Sequence, residues 1–262
     1  MKSSRRKFLK IAGVSALGLG ARPVLDVLAA SGEHEATSTP EIKKGKDALT
    51  AKRWAMVIDT RKIESEADLK PMIEACHKIH NVPDLENKNH EIKWIWTEGF
   101  QHGFSTQEYE FADERVKQLP FLTLCNHCEN AACVRVCPTK ATFKREDGIV
   151  LMDFHRCIGC RFCMAACPYG SRSFNFRDPR PFIMETNPEF PTRSKGVVEK
   201  CNFCAERLAV GKLPACVEAS NGVLTFGDLD DPESEVRKLL KTNYAIRRKP
   251  ALGAGPSVFY II

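Results

Sequence analysis

The sequence predicts a mixed α+β chain of short hairpins and short helices wound around groups of cysteines. Three observations point there: twelve cysteines among 262 residues, their gathering into closely spaced runs, and short apolar segments punctuated by Gly, Pro and an Asp-Gly step. At 43% hydrophobic and 27% charged, the composition suits a chain that buries a core and argues against disorder. No stretch approaches the roughly 18–20 uninterrupted apolar residues that a spanning helix needs.

Taken in order, the first element is a leader. Ser4-Arg5-Arg6-Lys7-Phe8-Leu9-Lys10 precedes a modestly apolar run, Ile11 to Ala21, and Val27-Leu28-Ala29 offers small residues for cleavage. A charged start, a short apolar stretch and a small-residue exit predict a signal peptide over residues 1–30, and the paired arginines specify the twin-arginine route. That route carries folded cargo, so a cofactor can be installed before export. The chain is then expected at the periplasmic face of the cytoplasmic membrane. Residues 31–52 are polar with little apolar periodicity and are expected to form a linker. The formal net charge of +6 resides mostly in the leader, for outside residues 1–29 the balance is +1. A nucleic-acid partner, which needs a basic face on the folded body, is not expected.

The folded body is expected over residues 53–262. Trp54-Ala55-Met56-Val57-Ile58 is a short apolar run of strand type, and Glu91 to Thr97 is a second strand whose Trp94 and Trp96 are expected in the core. Ala141 to Lys144 and Ile149 to Asp153 flank Arg145-Glu146-Asp147-Gly148, and the Asp-Gly step predicts a hairpin. Val223 to Phe226 is another short strand, just after a cysteine group. Insertions are expected at about 77–120 and 171–200, the latter carrying Pro179, Pro181, Pro188 and Pro191 and read as an ordered loop. After Pro232, the spacing of Val236, Leu239 and Leu240 predicts one short helix. The apolar segment Val258 to Ile262 suits either a docking surface or a strand folded back into a sheet.

The cysteines carry the chemistry. Cys125-x2-Cys128-x4-Cys133-x3-Cys137 is followed by Pro138, and Cys157-x2-Cys160-x2-Cys163-x3-Cys167 by Pro168. The second run has the bacterial ferredoxin spacing, proline included. Three thiolates a few residues apart let one loop take three corners of a [4Fe–4S] cube, while the fourth cysteine points away and completes the neighbouring cube. One cluster is therefore expected on Cys125, Cys128, Cys133 and Cys167, and a second on Cys157, Cys160, Cys163 and Cys137. The fold becomes one of tandem ferredoxin-like (polyferredoxin) modules around [4Fe–4S] clusters. Zinc also takes paired C-x2-C motifs, but has no need of four-cysteine runs in tandem with a following proline.

Cys76, Cys201, Cys204 and Cys216 form no complete run. If the body once held two more motifs, one followed Asp59 and retains only its last member, Cys76. The other, Cys201-x2-Cys204-x11-Cys216, keeps three cysteines and has Ser220 where the fourth would stand. The exchange rule then gathers Cys201, Cys204, Cys216 and Cys76 on a third cluster and leaves no ligand for a fourth, so that twelve cysteines make three cubes. The alternatives are Cys76 as an ordinary buried thiol, with a three-iron cluster or another ligand at the third site. His77 and His80 stand near enough to compete as ligands, though solvated or core positions suit them better. His127 is expected to pack or hydrogen-bond beside its cluster.

From about Met56 to Asp231 the chain resembles the four-cluster, ferredoxin-like electron-transfer subunits of the molybdopterin oxidoreductase and polysulfide reductase family, which includes the dimethyl sulfoxide reductase iron–sulfur subunit. The likeness rests on Ala55-Met56-Val57-Ile58-Asp59, both complete cysteine runs, and Cys201-Asn202-Phe203-Cys204-Ala205-Glu206-Arg207-Leu208 with Pro214-Ala215-Cys216. Tyr169-Gly170-Ser171-Arg172-Ser173-Phe174-Asn175, Arg177-Asp178-Pro179-Arg180-Pro181 and Gly196-Val197-Val198-Glu199-Lys200-Cys201 resemble one branch, the DsrO-type subunits of DsrMKJOP complexes. The resemblance implies a position outside the cytoplasmic membrane on an NrfD-like, quinone-interacting integral membrane subunit, near a multihaem cytochrome c. The missing first cluster departs from the family pattern.

No Ser-His-Asp set, phosphate loop or dinucleotide glycine motif accompanies the cysteines, and Gly18-Leu19-Gly20 lies in the leader. No catalytic residue is expected on this chain. The expected function is electron relay within a membrane-bound respiratory oxidoreductase complex linked to the quinone pool and sulfur metabolism. A free periplasmic ferredoxin-type carrier is the rival. Each oxidised cube with its thiolates carries about −2, so the loaded protein is expected to be acidic.

Overall fold

The computed structural model describes residues 45–107 and 110–262. The leader expected over residues 1–30, and the expected linker up to residue 44, lie outside the described residues. Residues 45–52, also assigned to linker by the sequence, lie along the body: the Leu49 N–H donates to the Leu208 carbonyl at 2.9 Å, and Leu49 and Ala51 pack on the core.

The elements are short. In chain order the strands are β1 (Trp54–Asp59), β2 (Ile95–Gly99), β3 (Pro120–Leu124), β4 (Thr142–Lys144), β5 (Val150–Met152), β6 (Ser173–Phe174), β7 (Val198–Glu199), β8 (Leu224–Asp228), β9 (Ala245–Ile246) and β10 (Val258–Ile261). Two helices exceed five residues among the described residues, α1 (Glu66–Ile79) and α2 (Glu235–Thr242). The remaining helical pieces are single turns.

Four of the six strand pairings follow one rule. β2 pairs with β3, β4 with β5, β6 with β7 and β8 with β1, all antiparallel. Each pairing joins the strand that trails one cysteine-bearing segment to the strand that leads the next. The last of them, β8 to β1, closes the series on itself. The mixed helix and strand content is that of an α+β fold.

β1 is the centre of the largest sheet, of order β8-β1-β10-β9, and all six of its residues are buried. Its side chains alternate between two cores, as the period of a strand requires. Trp54, Met56 and Ile58 join the main core with Tyr260 and Phe226, while Ala55 and Val57 meet Val236 of α2 and Ile261. A strand buried on both faces reads as an unbroken apolar run, which is how it stands in the sequence. β10 runs parallel to β1, with Met56 opposite Val258 and Asp59 opposite Ile261. The apolar segment near residue 260 is thus a core strand and no docking surface; the Tyr260 hydroxyl donates to the Leu122 carbonyl at 3.0 Å.

The Asp-Gly hairpin forms as β4 and β5, with Gly148 at φ +83°. The strand expected at Glu91–Thr97 is displaced: the ladder begins at Ile95 and extends to Gly99. The Lys93 N–H is already committed to the Ser173 hydroxyl at 2.8 Å, and so cannot join it. Helix α1 starts where the Asp68 carboxylate accepts from the Ser65 and Glu64 N–H groups at 2.9 and 3.0 Å, and it turns Leu69, Met72 and Cys76 inward.

The segment between β6 and β7 is anchored by a buried ion pair. Arg193 and Glu199 lie 2.6 Å apart with side chains wholly shielded from solvent. Glu199 also accepts from the Trp94 indole at 2.8 Å and from the Asn175 amide at 2.6 Å, while Arg193 donates to the carbonyls of His80 and Asn81 at 2.6 and 2.8 Å. The network ties the proline-rich loop to the end of α1. Glu199→Ala strands a buried guanidinium and should cost about 3–5 kcal/mol, read as a fall in the urea midpoint. Substitution of the exposed Glu185, whose ion pair with Lys78 is open to solvent, should leave the stability within about 0.5 kcal/mol of its original value.

Candidate metal centres

The three C-x2-C loops share one backbone device. The residue just before the second cysteine is left-handed in each: His127 at φ +40°, Gly159 at +71° and Phe203 at +54°. A loop of this kind turns tightly enough to bring neighbouring thiols to one side. At residue 159 only glycine fits, because an added Cβ would strike the Gly196 carbonyl oxygen as well as demand a positive φ. His127 and Phe203 hold the same conformation at the strain of a side chain, and their rings stack on each other 3.7 Å apart at 16°.

The third cysteine of each group sits second in a four-residue helical turn: Cys133 in Ala132–Arg135, Cys163 in Phe162–Ala165 and Cys216 in Ala215–Glu218. Four residues further on stand Cys137, Cys167 and Ser220, and each donates its N–H to the carbonyl three residues back, at 3.4, 3.2 and 3.1 Å. Ser220 thus occupies the place of a fourth cysteine. Its hydroxyl is taken up by the backbone, donating to the Val217 carbonyl at 2.7 Å and accepting from the Leu224 N–H at 3.1 Å.

All twelve thiols are free, and they gather in three groups. Cys137, Cys157, Cys160 and Cys163 line a common cavity. Burial pushes the Cys128 thiol far above its usual range, and the charges of Cys125, Cys133 and Cys167 add to the rise. Burial likewise raises Cys76, with Cys201, Cys216 and Cys204 as its charged neighbours, while burial alone drives Cys216 up to about 12. Cys201 also feels Cys125, and Cys163 feels Cys133, so the Cys125 group neighbours each of the other two. Cys137 is the exception: burial would raise it, but N–H groups of Thr142, Thr139 and Ala141 and the Thr139 hydroxyl bring it below the ordinary thiol value.

Thiolates packed this closely in a dry site are held together by positive charge that arrives with metal. Buried polar atoms left without a partner point the same way. The Asn126 amide, the His127 Nε2 and the Tyr169 hydroxyl are all unpaired, and Tyr169 lies beside Cys128 and Cys167. The Val150 N–H donates to His127 Nδ1 at 3.0 Å, which leaves the proton of the neutral ring on Nε2. Sulfur-rich clusters with exposed acceptor lone pairs fit this lining.

The histidines near Cys76 part ways. His77 reaches the Ile95 carbonyl at 3.2 Å through Nε2. His80 is buried, stacks on Trp94 at 4.4 Å and meets Glu206 at 2.9 Å; donor atoms of His80, Cys204 and Glu206 all lie within 4.8 Å. Glu206 in turn accepts from the Asn202 amide at 2.8 Å. No pattern in the sequence pointed to this pair, nor to Lys200, a fully buried ammonium that donates to the carbonyls of Cys201, at 2.6 Å, and Val150. A charged residue directly before a C-x2-C motif was the one available clue.

The loop geometry is testable through its glycines. Gly170 has φ +65°, and a Cβ there meets nothing within 4 Å, so Gly170→Ala should cost about 1–2 kcal/mol for the left-handed alanine alone. Gly159→Ala adds the collision with Gly196 and should cost distinctly more, as read by urea unfolding.

Residues 116–179 match a family described as a 4Fe-4S dicluster domain. Over 98% of its length the chain is 41% identical to the Hdr-like menaquinol oxidoreductase iron-sulfur subunit 1 of Archaeoglobus fulgidus, spanning 97% of that protein. It is 36% identical to the menaquinone reductase iron-sulfur cluster-binding subunit of Nitratidesulfovibrio vulgaris, over 80% of this chain and 88% of the relative. The NrfC homolog of Haemophilus influenzae is also 36% identical, over 86% of this chain and 87% of its own length. With three cysteine loops of one design and full-length likeness to such subunits, the chain belongs to the iron–sulfur electron-transfer subunits of the molybdopterin oxidoreductase and polysulfide reductase family, which serve membrane-associated oxidoreductases.

Proposed function

We propose that the chain relays electrons through three [4Fe–4S] clusters inside a membrane-bound respiratory complex linked to the quinone pool and to sulfur metabolism. The observation that carries this is the recurrence of one loop in three places, with Cys76 beside the incomplete third copy. The fold is then four tandem ferredoxin-like modules, of which the first has lost its own cube. Cys125, Cys128, Cys133 and Cys167 hold one cluster; Cys157, Cys160, Cys163 and Cys137 hold the next; Cys201, Cys204, Cys216 and Cys76 hold the third. When bound, the clusters supply one-electron carriers. The protein ligates them, keeps water away and directs N–H groups at sulfur, the Phe203 N–H lying 3.4 Å from Cys201 Sγ.

The neighbour relations among the thiols support a linear order, with the Cys125 cluster between the other two. The quinone-linked names of two relatives support a membrane partner of the NrfD-like, quinone-interacting kind, and the DsrO-type segments add a multihaem cytochrome c. Among the described residues no helix is long and apolar enough to cross a membrane. The paired arginines of the leader support export by the twin-arginine route to the periplasmic face.

Iron and acid-labile sulfide, counted per chain on anaerobically purified protein with zinc assayed alongside, test the reading. Three cubes require about twelve of each. About eight would remove the third cluster, and zinc in place of iron would overturn electron transfer altogether. Cys76→Ser and Cys201→Ser should abolish or convert the same EPR signal; the loss of two different signals would refute their pairing.

A further inference from the structure

Arg172 stands five residues beyond Cys167, just before β6, and only 5% of it is exposed. Its Nη1 donates to the Thr142 hydroxyl at 3.1 Å and lies 3.8 Å from Met152 Sδ. Its Nη2, equally buried, has no hydrogen-bond partner in the protein, and among the described residues no carboxylate pairs with the guanidinium. A buried cation without a counter-ion is strongly disfavoured unless negative charge sits close by. Met152 lines the cavity of Cys137, Cys157, Cys160 and Cys163, so Arg172 packs against a residue of that cavity's wall. On its other side the guanidinium meets Cys133 and Cys125 of the neighbouring group, with Cys163 also within reach.

We propose that Arg172 is a shared electrostatic bridge between two clusters: one buried guanidinium that faces a cysteine sulfur of each, raises both reduction potentials and weakens the repulsion between the two reduced cubes. This rests on the reading of those cysteines as cluster ligands. Each reduction adds one electron, delivered by the donor or by the mediator of a titration, and breaks no bond. No proton moves, because arginine stays charged throughout. A fixed cation favours whichever state of a cluster is more negative, and net charge and hydrogen bonds to sulfur are among the levers on potential. The planar fork of five donors is what lets one side chain serve two sites. Lys200 offers the contrast, its ammonium being bonded to two backbone carbonyls.

The test is an EPR-monitored redox titration of the full chain, purified anaerobically, comparing the original protein with Arg172→Gln and Arg172→Lys, with iron counted on each sample. Arg172→Gln should move two signals to lower potential together and leave the signal lost in Cys201→Ser where it was. Arg172→Lys keeps the charge and loses the fork, so at least one of the two signals should still fall. Full iron with neither signal moved, or with one alone moved in Arg172→Gln, overturns the bridge. If Arg172→Gln loses iron, Arg172→Lys decides, and two unmoved midpoints overturn the proposal. An original protein that binds no iron overturns the cluster reading instead, and the bridge with it.

Discussion

The crowding of twelve thiols into shielded groups governs this structure. Twelve sulfur atoms are brought into three groups, and burial together with mutual charge makes most of those that respond reluctant to ionise. Apart from Cys76, which lies in the long helix α1, the cysteines are held in loops and single helical turns too short to be stable alone. They are instead fixed from outside, by strands that pair across segment boundaries and by a core centred on β1. Bound metal brings positive charge to such groups, and its binding free energy adds to that of folding.

The loops also hold strain that packing must offset. A left-handed histidine or phenylalanine costs of order 1–3 kcal/mol, and His127 and Phe203 offset part of it by stacking on each other. Because these two residues belong to different groups, the stack couples the shape of one loop to the other. Gly159 shows the other solution: no side chain, and a carbonyl of the proline-rich loop filling the vacant place.

Much of the local structure was legible in the sequence because its causes are local. The Asp-Gly step fixed the β4–β5 hairpin, the unbroken apolar run fixed β1, and Val236 with its helical neighbours fixed α2. The two complete runs named eight of the ligand candidates by spacing. What escaped depends on contacts between distant residues. β10 beside β1 joins positions some two hundred residues apart, which no periodicity reports. The Arg193–Glu199 pair and the His80–Glu206 pair are likewise invisible before folding, since each charge alone resembles a surface residue. The start of β2 slipped by several residues because a hydroxyl of Ser173 captured an N–H that the pattern had assigned to a ladder.

The closure of β8 on β1 explains why the segment between β1 and β2 persists although Cys76 is its only cysteine. Its leading strand is the partner of β8, and its trailing strand is the partner of β3. Deleting it would expose two strand edges belonging to cysteine-bearing neighbours and would remove the central strand of the main sheet. A cysteine can be exchanged one residue at a time, whereas the strands at the two ends of its segment are masonry that cannot be taken out without bringing down the arch.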